Sequence, residues 1–288
     1  KDLAGYFLGT VPESSQARRP QPTTPTERDD KKDAWWWETR ETDRDAFASS
    51  RHRAHLPRCK RTGRPLKILA LHGRGSNNDI TSIQLSSLEV PTRCVADLLS
   101  APHDSSPQSD VFHMLSNRPF HEWGHDEKAL KGVLAYIERH GPYDGLYGFS
   151  QGAAFVPVVL SAITEHPFEW AIMFAGYLPE THKGLMQTIN DAVPIPMSRA
   201  LVWMGARDFL ITNPMSRGLI EQFGPSAASV VSCPGGHEPP FSGDPTVPAV
   251  VAFIRGEDLP AVAECNEEAL DGGKGDYGDK EDYGDKGD

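Results

Sequence analysis

The chain has 288 residues, of which 38% are hydrophobic and 24% charged. That is room for one large α/β domain with tails, and an ordinary composition for a globular protein. The formal charge of −11 argues against nucleic acid as a main partner, because phosphate binding needs a basic face. No apolar run approaches the roughly 20 residues that a membrane span needs.

The charge is unevenly spread. Residues 1–64 hold 14 Lys and Arg against 10 Asp and Glu, whereas residues 264–288 hold 3 Lys against 10 Asp and Glu. The first segment is rich in Pro, Arg, Asp, Thr and Ser and lacks hydrophobic periodicity. It buries too little apolar area to offset its ordering entropy and is expected to be a mostly disordered arm. Trp35, Trp36 and Trp37 interrupt it and offer a handle for a protein partner, although an arm that folds back locally or stays loose is the plainer reading. The last segment carries a six-residue repeat, Gly275–Lys280 then Glu281–Lys286, of the acidic, Gly-rich kind that stays solvated. The expected organisation is thus an arm at 1–64, an α/β domain at 65–263 and a disordered acidic tail at 264–288. Cys59, Cys94, Cys233 and Cys265 show no CxxC pair and no metal-ligand spacing, and read as the reduced thiols of a cytoplasmic protein. Leu3–Val11 is broken by Gly5 and Gly9 and is too short for a secretory core. The sequence begins at Lys1 rather than Met, which leaves an upstream segment open.

Between the arms, strand-like and helix-like runs alternate, the mark of a parallel sheet with crossover helices. Leu66–Leu71 is apolar except for Lys67 and is bounded by Pro65 and Gly73, which predicts a strand buried on both faces. A second strand is expected near 93–99. Residues 100–124 are long and turn-rich and are expected to form a loop covering the site. Ala129, Leu130, Val133, Leu134 and Ile137 share one face of a predicted helix that stops near Gly141-Pro142. Leu146-Tyr147 forms a short strand. A buried helix follows over Ala153–Ile163, in which Pro157 forfeits one backbone hydrogen bond. Further strands are predicted at Trp170–Ala175, Ala200–Met204 and Ser229–Ser232, with helices near Pro214–Gln222 and Thr246–Ile254. Together these make a doubly wound, mostly parallel sheet.

Gly148-Phe149-Ser150-Gln151-Gly152 matches the G-x-S-x-G nucleophile elbow. The pattern alone is weak, but here it follows a short strand and opens a helix, as the elbow demands. The helix N-terminus adds partial positive charge where an oxyanion would develop. A serine hydroxyl is a poor nucleophile without a base, and the partners should follow in the order Ser…Asp/Glu…His. Asp208 lies just past the strand at 200–204, and His237 just past the strand at 229–232, behind Gly235 and Gly236. Both stand where strand C-termini feed loops, the edge at which open α/β sheets place their sites. Arg207 adjoins Asp208, so Asp244 is the alternative acid. His72-Gly73-Arg74-Gly75 directly follows the first strand, the position of a second oxyanion-hole amide. The backbone N–H groups of Arg74 and Gln151 are therefore the candidate oxyanion donors. Phe149, Phe120 and Trp123 are the candidate substrate-facing side chains, with Met114 in the same covering loop.

Four stretches carry a family resemblance: Lys67–Gly73, Gly141–Gly145 leading into Gly148–Gly152, Gly205–Asp208 and Pro234–His237. Over about residues 65–255 the chain resembles the eukaryotic "family of serine hydrolases" (FSH) group, most specifically in Gly141–Ala154. The resemblance implies an α/β-hydrolase fold, Ser150, Asp208 and His237 as a triad, and hydrolysis of small to medium acyl esters or thioesters without a cofactor. Three departures stand out. Arg74-Gly75 replaces a bulkier apolar residue, Glu238-Pro239-Pro240 replaces a more apolar step, and the arm and tail have no counterpart.

Two competing readings remain. His121-Glu122-Trp123-Gly124-His125 spells H-E-x-x-H, a zinc-hydrolase signature whose chemistry needs both imidazoles on one face of a continuous helix. Pro119 and Gly124 speak against such a helix, so no metal is expected. A non-catalytic scaffold built on the hydrolase fold is the other alternative.

Overall fold

Six short apolar runs, too short for helices and bounded by Gly, Pro or charged residues, pair as strands in the computed structural model, which describes residues 63–90, 94–124, 126–163, 168–224 and 226–259. In chain order the elements begin β1 (Lys67–Leu71), α1 (Asn78–Ser87), β2 (Val95–Leu99), β3 (His103–Ser105), α2 (Asp110–Leu115) and β4 (Phe120–Glu122). They continue α3 (Glu127–His140), β5 (Gly145–Phe149), α4 (Gln151–Ser161), β6 (Trp170–Phe174) and α5 (Lys183–Asn190). The last are β7 (Ala200–Gly205), α6 (Asn213–Ile220), β8 (Ala228–Cys233) and α7 (Val247–Arg255). The arm at 1–62, with its Trp triplet, and the tail from residue 260 lie outside the described residues.

The sheet order is β2-β1-β5-β6-β7-β8, and every pair is parallel. Parallel neighbours need crossovers, and helices supply them on both faces. Alternate strand residues divide accordingly. Leu69, Leu71, Leu146, Met173 and Val202 pack on one face with α3, α4, α5 and α6. Ile68, Tyr147, Phe149, Ile172 and Trp203 pack on the other with α1 and α7. The chain moves one way from β1 to β2 through α1, then returns past β1 to β5 through α3 and continues outward. Right-handed crossovers then require α1 and the later crossover helices to lie on opposite faces, as they do. The direction of winding reverses between β1 and β5. In open α/β sheets that reversal opens the crevice for ligands, outside the strand C-termini.

Most predicted elements are present within one or two residues. The differences are informative. The stretch expected as a loop, 100–124, holds β3 and β4 as a two-stranded antiparallel pair and the short helix α2. Helix α1 was not predicted because its sequence is mostly polar; the Asn77 side chain caps it, accepting from the Ile80 amide at 3.1 Å. Helix α5 buries only Leu185 and Ile189, too sparse a stripe to read. Pro157 sits inside α4 as expected, and the helix runs through it.

The N-terminal ends of β1 and β5 are tied by one buried carboxylate. Asp144 is 3% exposed and accepts from Arg64 Nη1 at 2.7 Å, Arg64 Nη2 at 2.9 Å and the Lys67 amide at 2.7 Å. Removing it leaves the partly buried guanidinium and an amide without their acceptor. Asp144→Ala should lower unfolding free energy by about 2–3 kcal/mol, less than a fully buried pair because Arg64 is partly hydrated. A urea titration of the two proteins checks the value.

Candidate active site

At the C-terminal end of β5 the chain must reverse into α4 within one residue, and the glycines make this possible. A Cβ at Gly148 would lie 2.6 Å from the Ala153 Cα, and one at Gly152 would overlap the Leu71 carbonyl and lie 2.6 Å from the His72 carbonyl oxygen. Only bare backbone fits at either place. The residue between them absorbs the turn. Ser150 has φ 52° and ψ −117°, a conformation L residues rarely adopt and one that functional sites retain at a cost. Its amide donates to the Phe174 carbonyl at 2.9 Å, which fixes the strained residue to β6.

Two loops bring the other predicted groups to Ser150. His237 Nε2 lies 2.9 Å from Ser150 Oγ, and His237 Nδ1 lies 2.8 Å from Asp208 Oδ2. The second oxygen of Asp208, Oδ1, accepts from the amides of Leu210 at 2.9 Å and Ile211 at 2.8 Å. The carboxylate is thus oriented by its own loop before it meets the imidazole. Arg207 does not compete for it, because its Nε donates to the Pro234 carbonyl at 2.6 Å and so ties the Asp208 loop to the His237 loop. Asp244, the alternative acid, is occupied elsewhere: its Oδ1 accepts from the Thr246 amide at 2.8 Å and hydroxyl at 2.6 Å. The side chains of His237 and Asp208 are 9% and 1% exposed, so the relay is largely shielded from water.

The nearby phenols are removed from acid–base chemistry at neutral pH. Burial pushes Tyr147 well above its ordinary range and Tyr177 up to about 12, with Arg74 pulling it down and Glu122 raising it further.

The sequence matches the family described as "Serine hydrolase (FSH1)" over residues 62–248. The chain belongs to this family. Curated relatives agree. The chain is 30% identical over 201 residues to "Esterase FUS5" of Gibberella fujikuroi, covering 62% of this chain and 82% of that one. It is 27% identical over 209 residues to "Esterase OVCA2" of Danio rerio, covering 60% and 89%. Among solved structures, Arabidopsis thaliana SOBER1 aligns with a TM-score of 0.48 at 17% identity, over 66% of this chain and 97% of that one.

The remaining predicted residues of this FSH1-family chain fall in different places. Arg74 and Gln151 stand on the two segments that flank Ser150: a Cβ added to Gly73 would lie 3.3 Å from the Ser150 Cβ, and Gln151 is the first residue of α4. An amide at the first turn of a helix has no partner within it. Phe149 is buried behind the imidazole, with ring centroids 5.2 Å apart. Phe120 lines an open cleft of about 440 Å³ together with Ser105, His113 and Pro119. Trp123 is fully buried; its ring stacks on Phe155 at 5.6 Å, so it belongs to the packed interior. Arg74 Nε meets Glu122 Oε2 at 2.6 Å, an ion pair that sequence reasoning did not find because the partners are 48 residues apart.

The H-E-x-x-H segment does not form the helix its metal chemistry requires. His121 and Glu122 belong to β4, and the next helix starts after its cap at Asp126, whose side chain accepts from the Ala129 amide at 2.8 Å. His121 is turned toward Asp104, Nδ1 to Oδ1 3.3 Å. His125 lies outside the described residues.

The two acids give a clear test of this geometry. Asp208→Ala should lower ester turnover by about 10⁴-fold, as loss of the orienting carboxylate does in triads. Asp244→Ala should reduce the melting temperature and leave kcat/KM within about threefold of the parent, since ordinary loop changes alter stability rather than chemistry. Steady-state kinetics and a thermal melt on both variants check it.

Proposed function

We propose that this protein is a serine carboxylesterase or thioesterase that works through an acyl-enzyme on Ser150. The observation that carries the reading is the continuous relay from Ser150 Oγ through His237 to Asp208, at 2.9 and 2.8 Å. Serine needs a base within hydrogen-bond reach, and the base needs an orienting acid. Both conditions hold in a shielded site.

In the first half-reaction Ser150 Oγ bonds to the carbonyl carbon of the ester while its proton passes to His237 Nε2. The carbonyl electron pair moves to oxygen, where the amides of Arg74 and Gln151 donate to it. Collapse restores the carbonyl and breaks the bond to the alcohol or thiol, which leaves with the proton from His237. Water then attacks the acyl-enzyme, giving a proton to His237. The carboxylic acid departs as Ser150 Oγ takes that proton back. Asp208 stays ionised throughout and holds Nδ1–H. No cofactor takes part in this sequence.

The substrate is a small-molecule acyl ester or thioester, in keeping with relatives described as esterases. The Phe120 cleft supports a proposal for its distal group, because Glu122 links the two places. Its Oε2 accepts at 3.3 Å from the Oγ of Ser105, which lines the cleft, and at 2.6 Å from Arg74 Nε, one residue past the Gly73 that borders Ser150. A cytoplasmic setting belongs to the same proposal, from four scattered cysteines, Cys59, Cys94, Cys233 and Cys265, that show no CxxC pair and no metal-ligand spacing. Among the described residues no helix is long and apolar enough to cross a membrane.

A fluorophosphonate probe should label the protein and fail to label Ser150→Ala; equal labelling of the variant would remove Ser150 from the mechanism. Across p-nitrophenyl esters of increasing acyl length, Phe120→Ala should change the slope of kcat/KM against chain length. The expected loss is about 10-fold for the best substrate, the worth of one apolar contact in a pocket. An unchanged profile would place the acyl chain elsewhere.

A further inference from the structure

Three buried side chains that take no part in the relay join the two segments carrying the proposed oxyanion donors. Trp123 Nε1–H donates to the His72 carbonyl at 2.8 Å, and the Trp123 amide donates to Gln151 Oε1 at 2.9 Å. One residue after β4 thereby grips the end of β1 and the start of α4 together. The His72 ring adds a second constraint. The Ala101 amide donates to His72 Nε2 at 2.9 Å, so that nitrogen carries the lone pair and Nδ1 carries the proton. Nδ1–H then donates to the Gly73 carbonyl at 2.7 Å. In a trans peptide the C=O and N–H point in opposite directions. Holding the Gly73 oxygen therefore aims the Arg74 amide, which belongs to the same peptide unit, away from the imidazole. His72 and Trp123 are fully buried and Gln151 is 6% exposed, so these bonds form where water offers no substitute.

We infer that His72 and Trp123, with the Gln151 side chain, are positioning residues that set the direction and spacing of the Arg74 and Gln151 amides in the oxyanion hole. The inference rests on the serine-hydrolase reading above and adds to it a source for the rigidity of its donors. Preorganised donors stabilise the tetrahedral state because they need no reorientation when charge develops. The clasp acts on that state and leaves the trigonal ester alone. It also gives Trp123 a place in the chemistry without contact with substrate: its indole N–H and its amide are both engaged in holding the two segments.

The test compares Trp123→Phe, His72→Leu and His72→Asn with the parent enzyme. Active sites are counted by titration with a fluorophosphonate, kcat and KM are measured on a p-nitrophenyl ester, and Ki is measured for a trifluoromethyl ketone. The ketone binds as a hemiketal whose oxygen occupies the oxyanion hole. Trp123→Phe keeps the ring and loses the indole donor, and should lower kcat per titrated site by about 10-fold, a fraction of the loss from deleting a donor outright. KM should stay within about twofold and Ki should rise with the fall in kcat, since only the charged state feels the donors. His72→Leu should lower kcat by about 10²-fold, and His72→Asn, whose amide retains a donor for the Gly73 carbonyl, should recover to within about fivefold of the parent. Unchanged kcat and Ki per titrated site in Trp123→Phe, with only a lower melting temperature, would overturn the inference even if His72→Leu fails to fold. Ser150→Ala separates the two levels. Full activity in that variant would bring down the serine-hydrolase reading and this inference with it. A dead Ser150→Ala beside fully active Trp123→Phe and His72→Leu would bring down this inference alone.

Discussion

The site depends on one close approach, that of the first turn of α4 to the end of β1. Gly152 lies against the Leu71 and His72 carbonyls with no room for a Cβ, and this contact leaves Ser150 to take up the turn at a positive φ. The strain is local and is offset by burial around it, since residues 151–160 of α4 are buried throughout. What the turn achieves is directional. It turns the hydroxyl toward the imidazole, 2.9 Å away, at the first turn of α4, where amides have no partner within the helix. The same approach brings the β1 loop beside Ser150, so that residue and both candidate donor segments meet at the reversal point between β1 and β5.

Much of this was legible in the sequence because it is written in local patterns. Continuous apolar runs such as Trp170–Phe174 and Ala200–Gly205 mark strands buried on both faces, and Gly148 and Gly152 flank the one serine that a strand-to-helix turn would expose. Asp208 and His237 could be picked out because each follows a strand and precedes a loop. What stayed hidden is non-local. No local pattern joins Trp123 to His72 and Gln151, or Arg74 to Glu122. The sequence ranks Asp208 ahead of Asp244, but it does not show the hydrogen bonds of Arg207 to Pro234 and of Thr246 to Asp244 that distinguish the two carboxylates in the structure. Short elements such as β3, β4 and α2 were missed for a simpler reason, since three to six residues carry too little periodicity to stand out from a turn-rich loop.

The proposed site has two levels, groups proposed to react and groups proposed to hold them. Ser150, at the turn from β5 to α4, is hydrogen-bonded to His237 and His237 to Asp208, each of the two carried on its own loop. Asp208 is oriented by the amides of Leu210 and Ile211, and Arg207 fastens that loop to the one bearing His237. Trp123 connects the β1 loop to α4 through its indole N–H and its amide, and the buried His72 ring holds the Gly73 carbonyl. Departures from the family pattern fall outside both sets. Arg74 contributes its backbone to the site while its side chain pairs with Glu122, and Glu238 turns back to accept from the Gly236 amide at 3.0 Å.

The account stands or falls on covalent chemistry at Ser150. Rapid-quench mixing of enzyme with excess p-nitrophenyl acetate, followed by intact mass and peptide mapping, tests it most directly. The account predicts a burst of nitrophenol close to one equivalent per site and a single acetyl adduct on the peptide at Ser150, formed faster than steady turnover and hydrolysed at the turnover rate. Steady turnover with no burst and no adduct at Ser150, or an adduct that maps to another side chain, would contradict it.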